Sequence, residues 1–240
     1  MEAVRCCVVR SSQKTRDAWR TLSNKRGAAL DALLWPQKQE ISVSFLDRPS
    51  DLLAERVQAY AQKWTQYCNL SLRWVERNGD VRITFQGNGS WSYLGTECLN
   101  VPREQPTMCF GWLRDGSLEQ EIERVVLHEF GHALGLIHEH QNPEGGIRWN
   151  REAVYAFYAG APNFWKPEEV DVNVLSAYDR NLVRATTYDA ASIMNYPIPP
   201  EFVLDPAQAC GWNLTLSETD KLFIAQIYPM PVLRRTQRKR

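Results

Sequence analysis

His128-Glu129-Phe130-Gly131-His132-Ala133-Leu134-Gly135-Leu136-Ile137-His138 sets three imidazoles and one carboxylate at a spacing that builds an open metal site. Residues four apart on a helix share a face, with Cβ atoms about 5–6 Å apart, so His128 and His132 grip one ion from adjacent turns. Glu129 follows the first ligand directly. Its carboxylate is thereby aimed at the open side of the ion rather than at the ion itself, as the helical HExxH pattern requires, and Glu129 is the candidate general base. His138 lies six residues beyond His132, about 600° of rotation at ~100° per residue, and in an unbroken helix it would point away from the metal. The spacing therefore predicts that the helix ends, with Gly135 at the turn, because glycine enters left-handed backbone without a Cβ penalty.

Three neutral imidazoles around one Zn²⁺ leave a fourth position for water, the mark of a catalytic rather than a structural zinc site. Such an ion lowers the pKa of its water toward ~7 and polarises a carbonyl, so hydrolysis is the natural chemistry. Glu129 would take the proton and later deliver it to a leaving amine. A bare HExxH can arise by chance in a surface helix; Gly135 and His138 in register make this one far more specific. His140 is near in sequence, but three ligands already satisfy the motif, so it is read as a surface or supporting histidine.

Outward from the motif, Ser117 and Gln120 have capping-box spacing and predict the start of the metal-binding helix. Upstream, Ile41, Val43 and Phe45 alternate as a strand should, as do Leu70, Leu72 and Trp74, and Val81, Ile83 and Phe85. Between the first two strands, Leu53, Val57, Tyr60, Ala61 and Trp64 mark the core face of a helix from about Asp51 to Cys68. Downstream, residues 139–215 are rich in Pro, Asn and aromatics and suit an irregular half with one short helix near Arg151–Tyr158. Ser217 and Asp220 have the spacing of a capping box before a final helix. Residues 1–33 stand apart and read as a helix, a pro-segment or a poorly ordered arm.

These residues resemble the metzincin metallopeptidases, whose motif is HExxHxxGxxH followed by a methionine-bearing turn. Ser192-Ile193-Met194-Asn195-Tyr196 is similar to the Met-turn of the astacin family, and the likeness runs over about residues 34–229, through Leu34-Trp35, Ser90-Trp91-Ser92-Tyr93-Leu94-Gly95 and Leu216-Ser217-Glu218-Thr219-Asp220. The resemblance implies an α+β, metzincin/zincin-like fold. A twisted mixed sheet with two main helices would form the N-terminal half, an irregular C-terminal half would end in a helix, and an active-site cleft would lie between them. It implies a catalytic domain over 34–233, divided at residues 138 and 139, between an N-terminal extension or pro-segment (1–33) and a basic tail (234–240). It further implies a zinc endopeptidase that takes protein or peptide substrates, with His128, His132 and His138 on one Zn²⁺, Glu129 as base, Met194 beneath the ion, and Tyr196 as an additional, switchable ligand that helps stabilise the oxyanion. Substrate would lie extended along the edge strand at about Trp91–Gly95. Glu139 would pair with the amino terminus left by removal of a propeptide, and Lys25-Arg26-Gly27 is a plausible place for that cut. In a competing latent form, Cys6 or Cys7 caps the zinc. A non-catalytic binding module and a hydrolase of non-peptide amides are the other functional readings; the intact Glu129 argues against the first.

The departures are informative. Ser90 stands where animal astacins carry a cysteine and no cysteine follows Tyr228, so the family's two disulfides cannot both form; Asn195 replaces a common histidine. These features point to a divergent branch, microbial rather than animal. Cys98 and Cys109 can bridge if their Cα atoms come within about 7 Å. Lys+Arg and Asp+Glu balance at 28 each, so no long-range field favours nucleic acid or an acidic membrane, and no apolar run approaches a membrane span. The first residues break their apolar stretch with arginines and do not read as a signal peptide, although the family resemblance suggests secretion. A monomer is expected.

Overall fold

The computed structural model describes residues 7–10, 32–161, 163–178, 180 and 184–231. Its sheet is mixed and six-stranded: β1 (Cys7–Arg10), β2 (Glu40–Phe45), β3 (Ser71–Trp74), β4 (Val81–Thr84), β5 (Ser90–Tyr93) and β6 (Met108–Phe110), in the order β1-β5-β6-β4-β2-β3. Every pairing is parallel except β5 with β6. Three of the strands follow the alternations in the sequence. β1 and β6 do not, since one falls in the segment set apart as an extension and the other is only three residues long. β1 pairs residue for residue with β5, from Cys7 opposite Ser90 to Arg10 opposite Tyr93. The strand expected at the sheet's edge is therefore an inner one.

Helix α1 (Asp51–Thr65) opens where Ser50 accepts a hydrogen bond from the Leu53 N–H at 3.1 Å, and buries Leu53, Val57, Ala61 and Trp64. It ends three residues before Cys68, whose thiol donates back to the Trp64 carbonyl at 3.5 Å. Against it lies α2 (Glu119–Ala133). The Trp64 indole donates to the Leu127 carbonyl at 2.9 Å, and Lys63–Glu123 and Arg56–Glu119 pairs run beside it. The capping box expected at Ser117 does not form: the Ser117 hydroxyl accepts from the Arg114 N–H, closing the preceding turn, and Leu118 takes the N-cap position without a side-chain bond.

The C-terminal half carries α3 (Arg151–Ala159), a short α4 (Pro167–Val170) that continues into a π-helical turn over Asp171–Leu175, and α5 (Glu218–Ile227). The capping box expected at α5 is present, with Ser217 and Asp220 reciprocally bonded. Two apolar clusters result, one built on the sheet, α1, α2 and α5, the other on α3, the π-helical turn, Tyr196 and Phe202; Trp112 packs against both. Leu34-Trp35 and Tyr228 close the C-terminal end of α2. Trp35 donates its indole N–H to the Ala133 carbonyl at 2.7 Å, and the Tyr228 hydroxyl donates to the Leu134 carbonyl at 2.8 Å while accepting from the Trp35 N–H. Cys68, Cys98, Cys109 and Cys210 are free, so the Cys98–Cys109 bridge is absent. Among the described residues no helix is long and apolar enough to cross a membrane. Lys25-Arg26-Gly27, Cys6 and the basic tail lie outside the described residues, as does the Cys7 side chain.

Candidate metal centre

α2 delivers His128 and His132 one turn apart and then stops as the spacing predicts. Gly135 sits at φ 101°, its N–H bonds to the His132 carbonyl at 2.8 Å, and the Leu136 N–H reaches the Gly131 carbonyl at 2.9 Å. This pair of bonds is the Schellman helix end. A Cβ on Gly135 would meet the Leu34 side chain at 2.7 Å, so close packing as well as backbone angle asks for glycine. The reversed chain brings His138 back, and the Nε2 of His132 lies 3.2 Å from that of His128 and 3.1 Å from that of His138.

Those separations test the fit to a metal ion. Tetrahedral zinc with Zn–N bonds of about 2.0–2.1 Å sets its ligand nitrogens ~3.3 Å apart, close to what the ring atoms adopt. All three ligand atoms lie within 4.8 Å of one another. The opposite ring nitrogens are engaged: His128 Nδ1–H donates to the Ile193 carbonyl at 2.8 Å and His132 Nδ1–H to the Leu136 carbonyl at 2.7 Å. Both bonds fix the tautomer that leaves Nε2 bare. Burial pushes the histidines toward the neutral form, His132 to about 4 and His128 and His138 well below their ordinary value. Neutral imidazole is the form that binds metal.

Glu129 is fully buried beside His128. Met194 lies under the helix, where a Cβ on Gly131 would strike its sulfur at 2.3 Å. Sequence reading passed over Gly131, because the HExxH pattern leaves that position unspecified. It also missed the support behind the Met-turn. Asp220 accepts from the Ser192 hydroxyl at 2.6 Å and the Ile193 N–H at 2.8 Å, while Ser217 donates to Asp189 at 2.6 Å, whose N–H in turn reaches Glu139 at 2.9 Å. The cap of α5 thus holds the carbonyl that orients His128 and the residue next to His138. Glu139 also accepts from Asn142 at 2.9 Å, and burial raises its carboxyl to about 7. It borders a cavity of about 30 Å³ shared with Arg184, Thr186 and Asp220. Tyr196 is buried, its ring 4.4 Å from that of His138. His140 is buried rather than at the surface, and it is not among the grouped ligands. Trp91 is covered by the Arg10 guanidinium, 3.7 Å above the ring, and Tyr93 meets it edge-on.

Comparison with known proteins supports the same reading. The family model of the astacin peptidases matches residues 29–202. A structure of myroilysin is 40% identical with a TM-score of 0.79, covering 84% of this chain and 98% of that one. A crystal structure of myroilysin is 36% identical with a TM-score of 0.67, covering 95% and 93%. High choriolytic enzyme 1, a hatching enzyme zinc-protease from Oryzias latipes (Medaka fish), has a TM-score of 0.58 at 18% identity over 84% of this chain and 96% of that one, a likeness of fold. Comparison with curated proteins finds no match. The chain belongs to the astacin family and is a zinc metalloendopeptidase that acts on protein or peptide substrates.

Proposed function

We propose that His128, His132 and His138 hold the catalytic zinc, that Glu129 is the general base, and that Tyr196 stabilises the oxyanion of the substrate's tetrahedral carbon. The observation that carries this reading is the convergence of three imidazoles, with the Nε2 of His132 3.2 Å from that of His128 and 3.1 Å from that of His138. Zinc, when bound, polarises the substrate carbonyl and makes water acidic enough to attack at neutral pH. Glu129 accepts that water's proton and hands it to the leaving nitrogen, a role suited to a carboxylate buried beside the first ligand. The packing of the Tyr196 ring on that of His138 supports the role given to its phenol.

An extended substrate needs the outer edge of β5, which β1 occupies. The segment that carries β1 must therefore leave, and cleavage at Lys25-Arg26-Gly27 would sever it. Glu139, a half-buried carboxyl raised to about 7, would then pair with the new amino terminus in the adjoining cavity. The balanced charge gives no attraction to nucleic acid, and we take the working unit to be a monomer.

The test is casein hydrolysis by zinc-replete protein, with and without a chelator, beside Glu129→Gln. The expected outcome is chelator-sensitive cleavage, with Glu129→Gln lowering kcat by about 10²-fold or more while its zinc content by elemental analysis stays that of the wild type. Zinc bound without cleavage of any substrate would favour a binding module, and cleavage of small amides alone would favour a different hydrolase.

A further inference from the structure

His140 is one of the most enclosed polar side chains of the C-terminal half, 3% exposed, and it lies outside the group of three histidines whose ligand atoms converge. Its Nε2–H donates to the Asn173 carbonyl at 3.1 Å, so the remaining nitrogen, Nδ1, is a bare acceptor, buried without a hydrogen-bond partner among the described residues. An orphaned buried acceptor is unfavourable, but the same ring is tied to the backbone through its Nε2–H bond to Asn173. The side chain therefore offers a flat face that is anchored as well as packed. Its face stacks on Tyr196 with centroids 4.4 Å apart and planes at 29°, and on His138 at 5.0 Å and 29°, while Trp149 meets it edge-on at 6.4 Å. The nearest rings to Tyr196 are thus those of His138 and His140, each 4.4 Å away, with His128 at 6.1 Å.

The His140 ring is fixed from behind. His140 is held by the π-helical turn Asp171–Leu175 through Asn173. Its neighbour Gln141 grips the same segment, donating to the Val172 carbonyl at 2.8 Å and the Ser176 carbonyl at 3.0 Å. A stacked ring slides along its partner's face at little cost, but it cannot tilt into that face without overlap or away from it without losing contact.

We propose that His140 is a positioning residue for Tyr196: its fixed face confines the phenol to one plane of movement, toward or away from the three-histidine centre. This rests on the reading of Tyr196 as a switchable metal ligand that also stabilises the oxyanion. Asn173 and the π-helical turn are then the outer end of the same support.

The test uses zinc-replete active protein and a fluorogenic peptide, comparing His140→Leu (volume kept, flat face lost), His140→Phe (flat face kept), Tyr196→Phe and the double variant His140→Leu/Tyr196→Phe. His140→Leu is expected to lower kcat about tenfold, a modest misplacement effect, with KM and zinc content unchanged, and His140→Phe to keep most of the activity. In the Tyr196→Phe background His140→Leu should cause no further loss. Copper(II)-substituted protein supplies a readout without turnover, since a phenolate-to-copper band in the visible should weaken or shift in His140→Leu and persist in His140→Phe. An unchanged kcat and band in His140→Leu, or equal losses in both backgrounds, would overturn the positioning role while leaving Tyr196's role standing. If Tyr196→Phe is itself fully active, the Tyr196 reading falls and takes this one with it. Should His140→Leu fail to fold, loss of kcat and band in His140→Phe to the level of Tyr196→Phe would equally overturn the proposal.

Discussion

At His132 each ring nitrogen has one task, and the backbone assigns it. The carbonyl of Leu136, placed by the helix end itself, takes the Nδ1 proton and leaves Nε2 for metal. His128 depends on a distant carbonyl, that of Ile193, and so on the Met-turn. Glu139 makes a contrasting case, because its environment favours the wrong charge state. Its carboxyl is raised from 4.5 to about 7 chiefly by burial, against the two hydrogen bonds it accepts at Oε1. A folded-state pKa above the unfolded value means that this group's contribution is fully present below about pH 4.5 and lost as pH rises through about 7. Glutamine can accept the same two bonds through its own oxygen and never ionises. Zinc-depleted full-length Glu139→Gln should therefore be more stable than wild type at pH 8, by on the order of 2 kcal/mol after discounting for partial exposure, and indistinguishable from it at pH 4.5. Thermal melts at the two pH values measure this, and equal melting temperatures at pH 8 would show that the carboxylate already has a compensating cation.

At the scale of elements, the metal-binding helix works because two glycines let other segments press against it. Gly135 lets the chain reverse under Leu34, and Gly131 admits Met194 to the helix backbone. A Cβ at Gly131 would lie 2.3 Å from the Met194 sulfur and 3.2 Å from the Trp64 ring. Gly131→Ala should consequently cost about 1–3 kcal/mol through overpacking, despite alanine's better helix propensity, and weaken zinc retention by displacing the Met-turn. Adding Met194→Ala should recover part of the loss, a coupling that melts of the two single variants and the double variant would reveal. The sequence made Gly135 legible because the histidine spacing demanded a helix stop there. Gly131 was illegible, since its need arises from a methionine 63 positions away. The same division runs through the other elements. Capping at Ser217 was readable from local chemistry, and the structure has it. Ser117 had an equally good local pattern, but its hydroxyl is engaged by Arg114 in the turn before the helix. Periodicity located β2, β3 and β4. It had no purchase on β6, three residues long, or on the π-helical turn, whose backbone conformation depends on partners such as Gln141.

For the whole molecule, the two apolar clusters meet at the Met-turn, with Ile193 and Met194 in one and Tyr196 in the other, so a single five-residue turn carries both the methionine under the metal-binding helix and the ring packed on His138. What the sequence could not disclose is how residues 7–10 pair, because a four-residue strand is defined by its partner rather than by its own pattern. That pairing has a kinetic consequence. Net main-chain hydrogen bonds contribute roughly 0.5–1.5 kcal/mol each, and a tethered strand competes at an effective concentration in the millimolar range. A free substrate at micromolar concentration therefore meets an edge that is already taken, with Arg10 stacked over Trp91 as an added hold. Protein beginning at Gly27 should hydrolyse peptides about ten- to a hundredfold faster than the full chain at equal zinc content, mostly through KM, because the edge is a binding element rather than a chemical one. Peptide 1–26 added in trans should inhibit only at millimolar levels, having lost its tether. Equal rates from the two forms would mean that substrate enters without that edge, and the extended-strand mode of binding would have to be given up.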